Sequence, residues 1–320
     1  MPKKIVYVTG CLGFIGSHVT EMCLEQGWYV IGVDKCTYAS NESWIENWSN
    51  RYSDHFKFIR ADINDLDKLY DCDYIINTAA ETHVDNSIEN SDEFVHSNIN
   101  GVHHLLKLIN QKKYKKPVFL HFSTDEVYGD IETGSHTETD LLKPSNPYSA
   151  TKAAADHLVT SWARTYKLPY VIVRPTNNYG IGQYVEKLIP KTIKYLSIGR
   201  RVDLHNQGTP VRTWLYAGDT AAAVITIIER GVVNEIYNIS GNYETQNIEV
   251  VKKIVQLMAD DNGDITPNID DYIEHMERIG QDVRYSINDA KLKKLGWEPC
   301  AQFDKELVKI VQYYKEHFIW

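Results

Sequence analysis

Cysteine is scarce in this sequence: Cys11, Cys23, Cys36, Cys72 and Cys300 are all there is in 320 residues, an odd number with no Cys-x-x-Cys spacing. That excludes a disulfide framework and predicts a reduced, intracellular chain. Histidine offers no metal site in its place. The twelve histidines are scattered, and neither His103-His104 nor any other pair has a recognised ligand spacing, so no metal is expected. Long apolar runs are also missing. The longest, Ala221 to Ile228, is interrupted by Thr226 and falls far short of the ~20 residues that span a bilayer. Ile5-Val6-Tyr7-Val8 is likewise too short for the core of a signal peptide, so a cytoplasmic protein with no membrane partner is expected. Positive charge is the last deficit. Against 43 acidic residues there are 34 Lys and Arg, a formal charge of -9, and the basic residues cluster no further than pairs such as Lys115-Lys116 and Arg200-Arg201. A nucleic-acid partner would need a basic stripe and is not expected, although a local pocket can still hold a small anion.

What is present suits a globular chain. Hydrophobic residues make up 43% and charged residues 24%, enough to bury a core, and the length corresponds to about two domains. Short β-branched or aromatic runs at Lys4–Thr9, Tyr29–Asp34, Phe56–Arg60, Tyr74–Asn77, Val118–Ser123 and Tyr170–Arg174 alternate with helical periodicity at Ile15–Gln26, Ser91–Asn110 and Tyr148–Tyr166. Repeated βα units predict an α/β fold with a doubly wound parallel sheet. After Pro175 the rhythm loosens. Helices are expected at Glu186–Leu196, Thr220–Arg230, Asn247–Asp260 and Phe303–His317, with a strand at Glu235–Ile239. This reads as a smaller α/β lobe over residues 176–320, with segments free to return to the main sheet of residues 1–175.

The first strand runs through Thr9-Gly10-Cys11-Leu12-Gly13-Phe14-Ile15-Gly16 into a helix, and Asp34 ends the second strand 18 residues after Gly16. Glycines at a strand-to-helix turn let a pyrophosphate approach the backbone N–H groups and the positive helix end. A carboxylate at Asp34 accepts from ribose hydroxyls and repels a 2′-phosphate, which favours NAD over NADP and makes residues 1–175 a Rossmann-type NAD-binding domain. Asp62-Ile63 and Thr78-Ala79-Ala80 lie at the ends of the third and fourth strands, facing the same crevice. The cofactor set expected is Gly10, Gly13, Phe14, Ile15, Gly16, Asp34, Lys35, Thr37, Asp62, Ile63, Ala79 and Ala80.

Tyr148-Ser149-Ala150-Thr151-Lys152 puts a phenol and an ammonium four apart on one helix face. A neighbouring cation lowers the cost of a phenolate, so the tyrosine can act as a base. Read alone, a Tyr-x-x-x-Lys match is weak in a chain with 21 tyrosines, and Asp125-Glu126 is an acidic turn. Together with the dinucleotide fingerprint they mean more.

These residues, with Ser123-Thr124-Asp125-Glu126-Val127-Tyr128-Gly129, resemble the nucleotide-sugar 4,6-dehydratases of the extended short-chain dehydrogenase/reductase family. The resemblance covers nearly the whole chain, through Glu81-Thr82-His83-Val84-Asp85, Thr176-Asn177-Asn178-Tyr179-Gly180, Glu186-Lys187-Leu188-Ile189-Pro190, Arg212-Thr213-Trp214 and Gly280-Gln281-Asp282-Val283-Arg284-Tyr285. It implies NAD as cofactor and a nucleotide-diphosphate sugar as substrate. It also implies roles. Tyr148, with Lys152 behind it, takes the 4-hydroxyl proton while Thr124 bonds the same oxygen; Glu126 removes the C5 proton and Asp125 protonates the departing 6-hydroxyl. Two adjacent carboxyls suit this because one must be charged and the other neutral. Carried over in the same way, Tyr148, Lys152 and Asn178 stand near the cofactor. Thr82, Thr124, Asn177, Lys187, Leu188, Val202, Leu204, Arg212, Asn247 and Gln281 line the substrate site. The family implies a homodimer through Ser91–Asn110 and Tyr148–Tyr166.

The chain departs from the family at Gln281, where histidine is usual, and at Tyr184-Val185, Thr82 and Arg174-Pro175-Thr176. These departures open the choice among dTDP-glucose, UDP-glucose and UDP-N-acetylglucosamine, and with the last, inversion at C5. The competing readings are a nucleotide-sugar 4-epimerase, which needs no elimination pair, and a non-catalytic NAD-binding scaffold or redox sensor.

Overall fold

The computed structural model describes residues 3–260, 268–276 and 282–317. The chain opens with β1 (Ile5–Thr9), α1 (Phe14–Glu25), β2 (Tyr29–Asp34), α2 (Ser43–Arg51), β3 (Phe56–Arg60) and β4 (Tyr74–Asn77). Next come α3 (Val84–Glu89), α4 (Asp92–Phe94), a π-helical stretch over Val95–Asn100 and α5 (Gly101–Asn110). β5 (Val118–Phe122), α6 (Pro147–Tyr166) and β6 (Tyr170–Pro175) complete this part. Beyond it run β7 (Asn177–Tyr179), α7 (Leu188–Ser197), β8 (Val202–His205), β9 (Val211–Tyr216), α8 (Ala217–Arg230) and β10 (Glu235–Ile239). The last elements are β11 (Tyr243–Gln246), α9 (Asn247–Asp260), β12 (Ile273–Met276), α10 (Ala290–Lys293) and α11 (Phe303–Glu316).

Seven parallel strands in the order β10-β6-β5-β4-β1-β2-β3 form the main sheet. Alternation along each strand explains why helices cover both faces. Val6 and Val8 of β1, with Leu120 and Phe122 of β5, pack against Val19 and Cys23 of α1 and Val224 and Ile228 of α8. Tyr7 and Phe119 point the other way, against Leu105 and Ile109 of α5 and Ala155 and Val159 of α6. The strand order reverses between β1 and β4, so the crevice beyond their carboxyl ends is the expected binding place.

A second body is built from β11-β9-β7, β12-β8, α7, α9 and α11. Its core joins Tyr179, Trp214, Ile254, Phe303 and Leu307. The boundary expected near residue 175 is crossed repeatedly. The chain leaves at β7 and returns for α8 against α1 and for β10 against β6. It leaves again for β11 to β12, returns for α10 against β10, and ends in α11 against α7.

The single helix expected over Ser91–Asn110 is interrupted by the π-helical stretch. The wider turn buries two successive residues, Ser97 and Asn98. Asn98 then accepts from Glu81 N (2.9 Å) and donates to Glu81 O (3.0 Å) and Thr151 Oγ1 (2.9 Å), tying α6 to the β4 loop. Such stretches often mark functional positions.

Candidate active site

Where β1 ends, the chain turns with Gly10 at φ +71°, and a Cβ there would sit 2.7 Å from Ala79 Cα and N. A Cβ on Gly16 would overlap Gly10 O and Thr78 Oγ1. Glycine is therefore enforced by the packing of the turn against the end of β4. Gly13 caps α1 without a side chain, and the first turn of α1 carries no acid. The positive helix end thus faces the crevice uncompensated.

That crevice is a cavity of about 300 Å³ between the two bodies. Its wall includes every expected cofactor residue from Gly10 through Ala80, together with Tyr148 and Asn178. Asp34 accepts at Oδ2 from Leu12 N (2.9 Å) and at Oδ1 from Cys36 N (2.7 Å) and Ser40 Oγ (3.0 Å). These bonds fix the carboxylate at the rim beside the glycine turn. Lys35 reaches Glu81 (3.4 Å) and Asp62 (3.8 Å) and donates to Ser97 Oγ (3.2 Å). The bare turn, the helix end and the rim carboxylate suit a dinucleotide diphosphate with free ribose hydroxyls.

Deeper in the cavity, Ser123 and Thr124 follow the end of β5, and a 3₁₀ turn over Asp125–Tyr128 comes next. Thr124 starts that turn, its Oγ1 accepting from Glu126 N (3.4 Å) and donating to Asp125 Oδ1 (3.2 Å). Asp125 is 3% exposed and its Oδ2 has no hydrogen-bond partner among the described residues. Burial first, and the charge of Glu126 second, push the Asp125 carboxyl up to about 7, with Arg212 opposing. Burial also raises Glu126, opposed by Arg212 and reinforced by Asp282. The two carboxyls can therefore carry different protonation states near neutrality.

α6 begins at Asn146 in a reciprocal cap, Asn146 Oδ1 accepting from Ser149 N (2.9 Å) and Ser149 Oγ from Asn146 N (3.2 Å), with Pro147 in the first turn. The helix delivers Tyr148 to the cavity wall. Lys152, one turn further, is buried behind that wall and donates to Phe122 O (2.6 Å). In this arrangement burial, then Glu126, push the Tyr148 phenol strongly up, with Thr124 opposing by a hydrogen bond.

One more turn along α6, Asp156 is 1% exposed. Its Oδ2 accepts from Ser123 Oγ (3.0 Å) and from Arg174 Nε and Nη2 (3.0 and 2.9 Å), and His121 Nε2 stands 3.8 Å from Oδ1. Asn77, held by Thr9, donates to His121 Nδ1 (3.1 Å), which leaves the imidazole proton on Nε2, towards Asp156. Burial lowers Lys152 to about 8, and Asp156 holds it from falling further. Sequence reasoning missed this support, although Tyr148, Lys152 and Asp156 share one i, i+4 stripe.

The expected substrate residues divide. Thr82, Thr124, Asn177 and Lys187 line the cavity, with Lys187 Nζ donating to Thr82 O (3.1 Å). Arg212 lies outside that wall, stacked 4.7 Å over Tyr285, and acts on both carboxyls through its charge. Leu188 and Leu204 pack with Val251, Val255 and Ile273, and Val202 is wholly buried. The Val202 and Leu204 side chains are committed to the core, whereas Leu188 is half-buried at its edge. Asn247 starts α9 and donates from its backbone to Pro210 O (3.1 Å). Gln281 lies outside the described residues. Glu81, at the strand end expected to face the crevice, lines the cavity, as do Gln183, Tyr184 and Glu186, which were not expected in the site. Among the described residues no group of three metal-ligating side chains occurs, and no helix is long and apolar enough to cross a membrane.

Across residues 7–310 the chain matches the family described as GDP-mannose 4,6 dehydratase. It is 38% identical to the dTDP-glucose 4,6-dehydratase of Haemophilus influenzae, over 97% of this chain and 97% of the relative. All of this chain also matches, at 39% identity, 48% of a trifunctional UDP-glucose 4,6-dehydratase, 3,5-epimerase and reductase of Arabidopsis thaliana. The dTDP-glucose 4,6-dehydratase of Streptomyces venezuelae, solved with NAD bound, superposes with a TM-score of 0.88 at 34% identity, covering 98% of this chain and 97% of that one.

Proposed function

This chain belongs to the GDP-mannose 4,6 dehydratase family, and on that premise we propose that it is an NAD-dependent nucleotide-sugar 4,6-dehydratase, a hydro-lyase yielding the 4-keto-6-deoxyhexose. The observation that carries the reading is the pair of unequal carboxyls, Asp125 and Glu126, in the same cavity as Tyr148 and the glycine turn. A 4-epimerase has no use for that pair, and a silent NAD-binding scaffold or redox sensor has none for the full set.

The glycine turn, the α1 N-terminus and Asp34 hold the dinucleotide, with Lys35, Thr37, Asp62, Ile63, Ala79, Ala80 and Asn178 around it. When bound, NAD+ accepts the C4 hydride and later returns it to C6, ending as it began, which calls for tight retention and no outside reductant. Tyr148 takes the proton of the 4-hydroxyl, and Thr124 bonds the same oxygen. Lys152, kept cationic by Asp156, supplies positive charge behind the phenol. With C4 oxidised, the C5 proton is acidic. Glu126 removes it, neutral Asp125 protonates the 6-hydroxyl, which leaves as water, and as the hydride reaches C6 of the resulting 5,6-alkene a solvent-exchangeable proton adds at C5, giving the 4-keto-6-deoxy sugar. Lys187 and Arg212 supply cationic charge for the diphosphate, Thr82 and Asn177 polar contacts, and Asn247 and the backbone at Val202 and Leu204 the wall beside the base.

In this reading the body containing most of residues 1–175 serves the cofactor and most of 176–320 the nucleotide sugar. A cytoplasmic homodimer through Ser91–Asn110 and Tyr148–Tyr166 belongs to the same proposal. It is supported by the outward Val95 and Tyr166 on those two segments; light scattering of the purified chain tests it.

The deciding experiment is incubation with dTDP-glucose, UDP-glucose and UDP-N-acetylglucosamine in heavy water. A 4-keto-6-deoxy product with deuterium at C5 is expected from at least one, and its configuration reads out C5 inversion. An unlabelled C4 epimer would overturn the dehydratase reading.

A further inference from the structure

Asn146 does two things at once. Its Oδ1 accepts from Ser149 N (2.9 Å), so the amide plane is fixed by the helix cap, and its Nδ2 donates to Glu126 Oε2 (3.4 Å). Ser149 Oγ closes the cap by accepting from Asn146 N and donating to Asn146 O (3.0 Å), which holds the backbone from which the side chain extends. The residue thus bridges the 3₁₀ turn bearing both carboxyls and the helix bearing Tyr148 and Lys152.

The residue type matters. Serine, threonine and aspartate cap helices about as well as asparagine. Aspartate has no donor, and serine and threonine accept and donate through a single hydroxyl oxygen on Cβ; asparagine sets its donor on a second atom, one bond further out, so that Nδ2 meets Glu126 while Oδ1 caps the helix. A cap alone does not require that separation; a cap that also reaches Glu126 uses it.

Resting on the 4,6-dehydratase reading, we propose that Asn146 is a positioning residue that aims the Glu126 carboxylate at the C5 proton and sets its separation from Tyr148. The groups facing Glu126 define what the amide contributes. Asp125 lies on the same turn, Tyr148 on α6, Arg212 on β9, Lys187 on the loop before α7, and Asp282 and Tyr285 on the segment before α10. Arg212 and Lys187 favour the charged carboxylate through space, while Asp282 opposes it. Asn146 adds a neutral donor whose direction is fixed by α6. Holding the base there registers the second proton transfer to the first. C4 oxidation, which uses Tyr148 and Thr124, does not depend on it.

The test uses the full-length protein with NAD and whichever nucleotide sugar the wild type dehydrates. Asn146→Ser keeps a cap and draws the donor back by one bond from a contact already 3.4 Å long; Asn146→Asp keeps a cap and places a like charge against Glu126. Single-turnover absorbance at 340 nm reads C4 oxidation, and mass spectrometry reads loss of water. Oxidation within about twofold of wild type is expected in both variants, with water loss slowed about tenfold in the first and about a hundredfold in the second, as for a lost hydrogen bond to a charged group. Absorbance at 340 nm therefore persists longer than in wild type. The acid limb of the water-loss pH profile moves to higher pH, further for Asn146→Asp, because the charged base loses its donor. Water loss within twofold of wild type in both variants, or oxidation and water loss falling by the same factor, would overturn the assignment. Wild type that epimerises C4 without losing water overturns the dehydratase reading instead, so the two failures are distinct.

Discussion

Replacing Asp125 by Asn should stabilise the protein while abolishing dehydration, and the size of the gain follows from the burial of the carboxyl. The group lies at about 7 in the fold against 3.8 for the free side chain, roughly 3 pH units, or about 4 kcal/mol at 1.36 kcal/mol each. A carboxyl raised on folding leaves stability intact below its unfolded value and removes it as pH rises to the folded value. The wild type therefore loses about 1.4 kcal/mol per pH unit between roughly 4 and 7 from this group alone, and nothing more above 7. Asn carries no charge to desolvate, and its Oδ1 can still accept from Thr124 Oγ1. Urea unfolding of both proteins without nucleotide sugar, at pH 5, 6, 7 and 8, should show the Asp125→Asn variant gaining on wild type by about 2 to 3 kcal/mol between pH 5 and 7, then a constant gap. Taking the difference cancels the titrating groups that do not interact with Asp125. A gap independent of pH, or a variant less stable at pH 8, would refute the claim that this acid is held neutral by burial.

Three further outcomes are expected. Asp156→Asn leaves Lys152 and Arg174 buried without their counter-charge; unfolding should become easier by about 3–5 kcal/mol, and the alkaline fall in activity should move to lower pH because Lys152 loses the group that holds it up. An unchanged alkaline limb in a folded variant would show that Asp156 does not act on Lys152. Gly16→Ala forces a Cβ into Gly10 O, so NAD affinity, followed by protein fluorescence quenching, should fall at least about tenfold. Asp34→Asn removes the charge at the cavity rim and should narrow the preference for NAD+ over NADP+ in half-reaction assays; an unaltered ratio would sever Asp34 from cofactor choice.

Much of this was legible because the sheet is buried on both faces. Runs such as Tyr29–Asp34 and Glu235–Ile239 must be apolar on alternate sides, and their limits match the strands. The glycine turn and Asp34 were legible because the backbone approach at Gly10 and Gly16 excludes every other residue. Less visible was whatever depends on three-dimensional register. The π-helical stretch at Val95–Asn100 keeps a helical composition and differs only in which residues it turns inward. Leu204 has the look of a ligand contact by family position but spends its side chain on Ile273 and Val251. Short strands such as β7 and β11, three and four residues long, carry too little periodicity to read. The Lys152 ammonium turning to Phe122 O, rather than to the phenol, depends on where β5 ends beneath α6.

The repeated crossing between the two bodies has a mechanical consequence. Two lobes joined by a single linker can swing about one hinge, and either can be cut away as an independent piece. Here β6–β7, β9–α8, β10–β11 and the segments flanking α10 all pass between them, so the bodies are laced together at several points. Rotation about any one connection is resisted by the others. A chain ended at residue 175 would expose β6 as a bare sheet edge where Glu235–Ile239 should lie, and would strip α8 from α1. Opening of the cavity is therefore left to the loops that line it, among them those carrying Thr82, Tyr184 and Lys187, rather than to wholesale separation of the bodies.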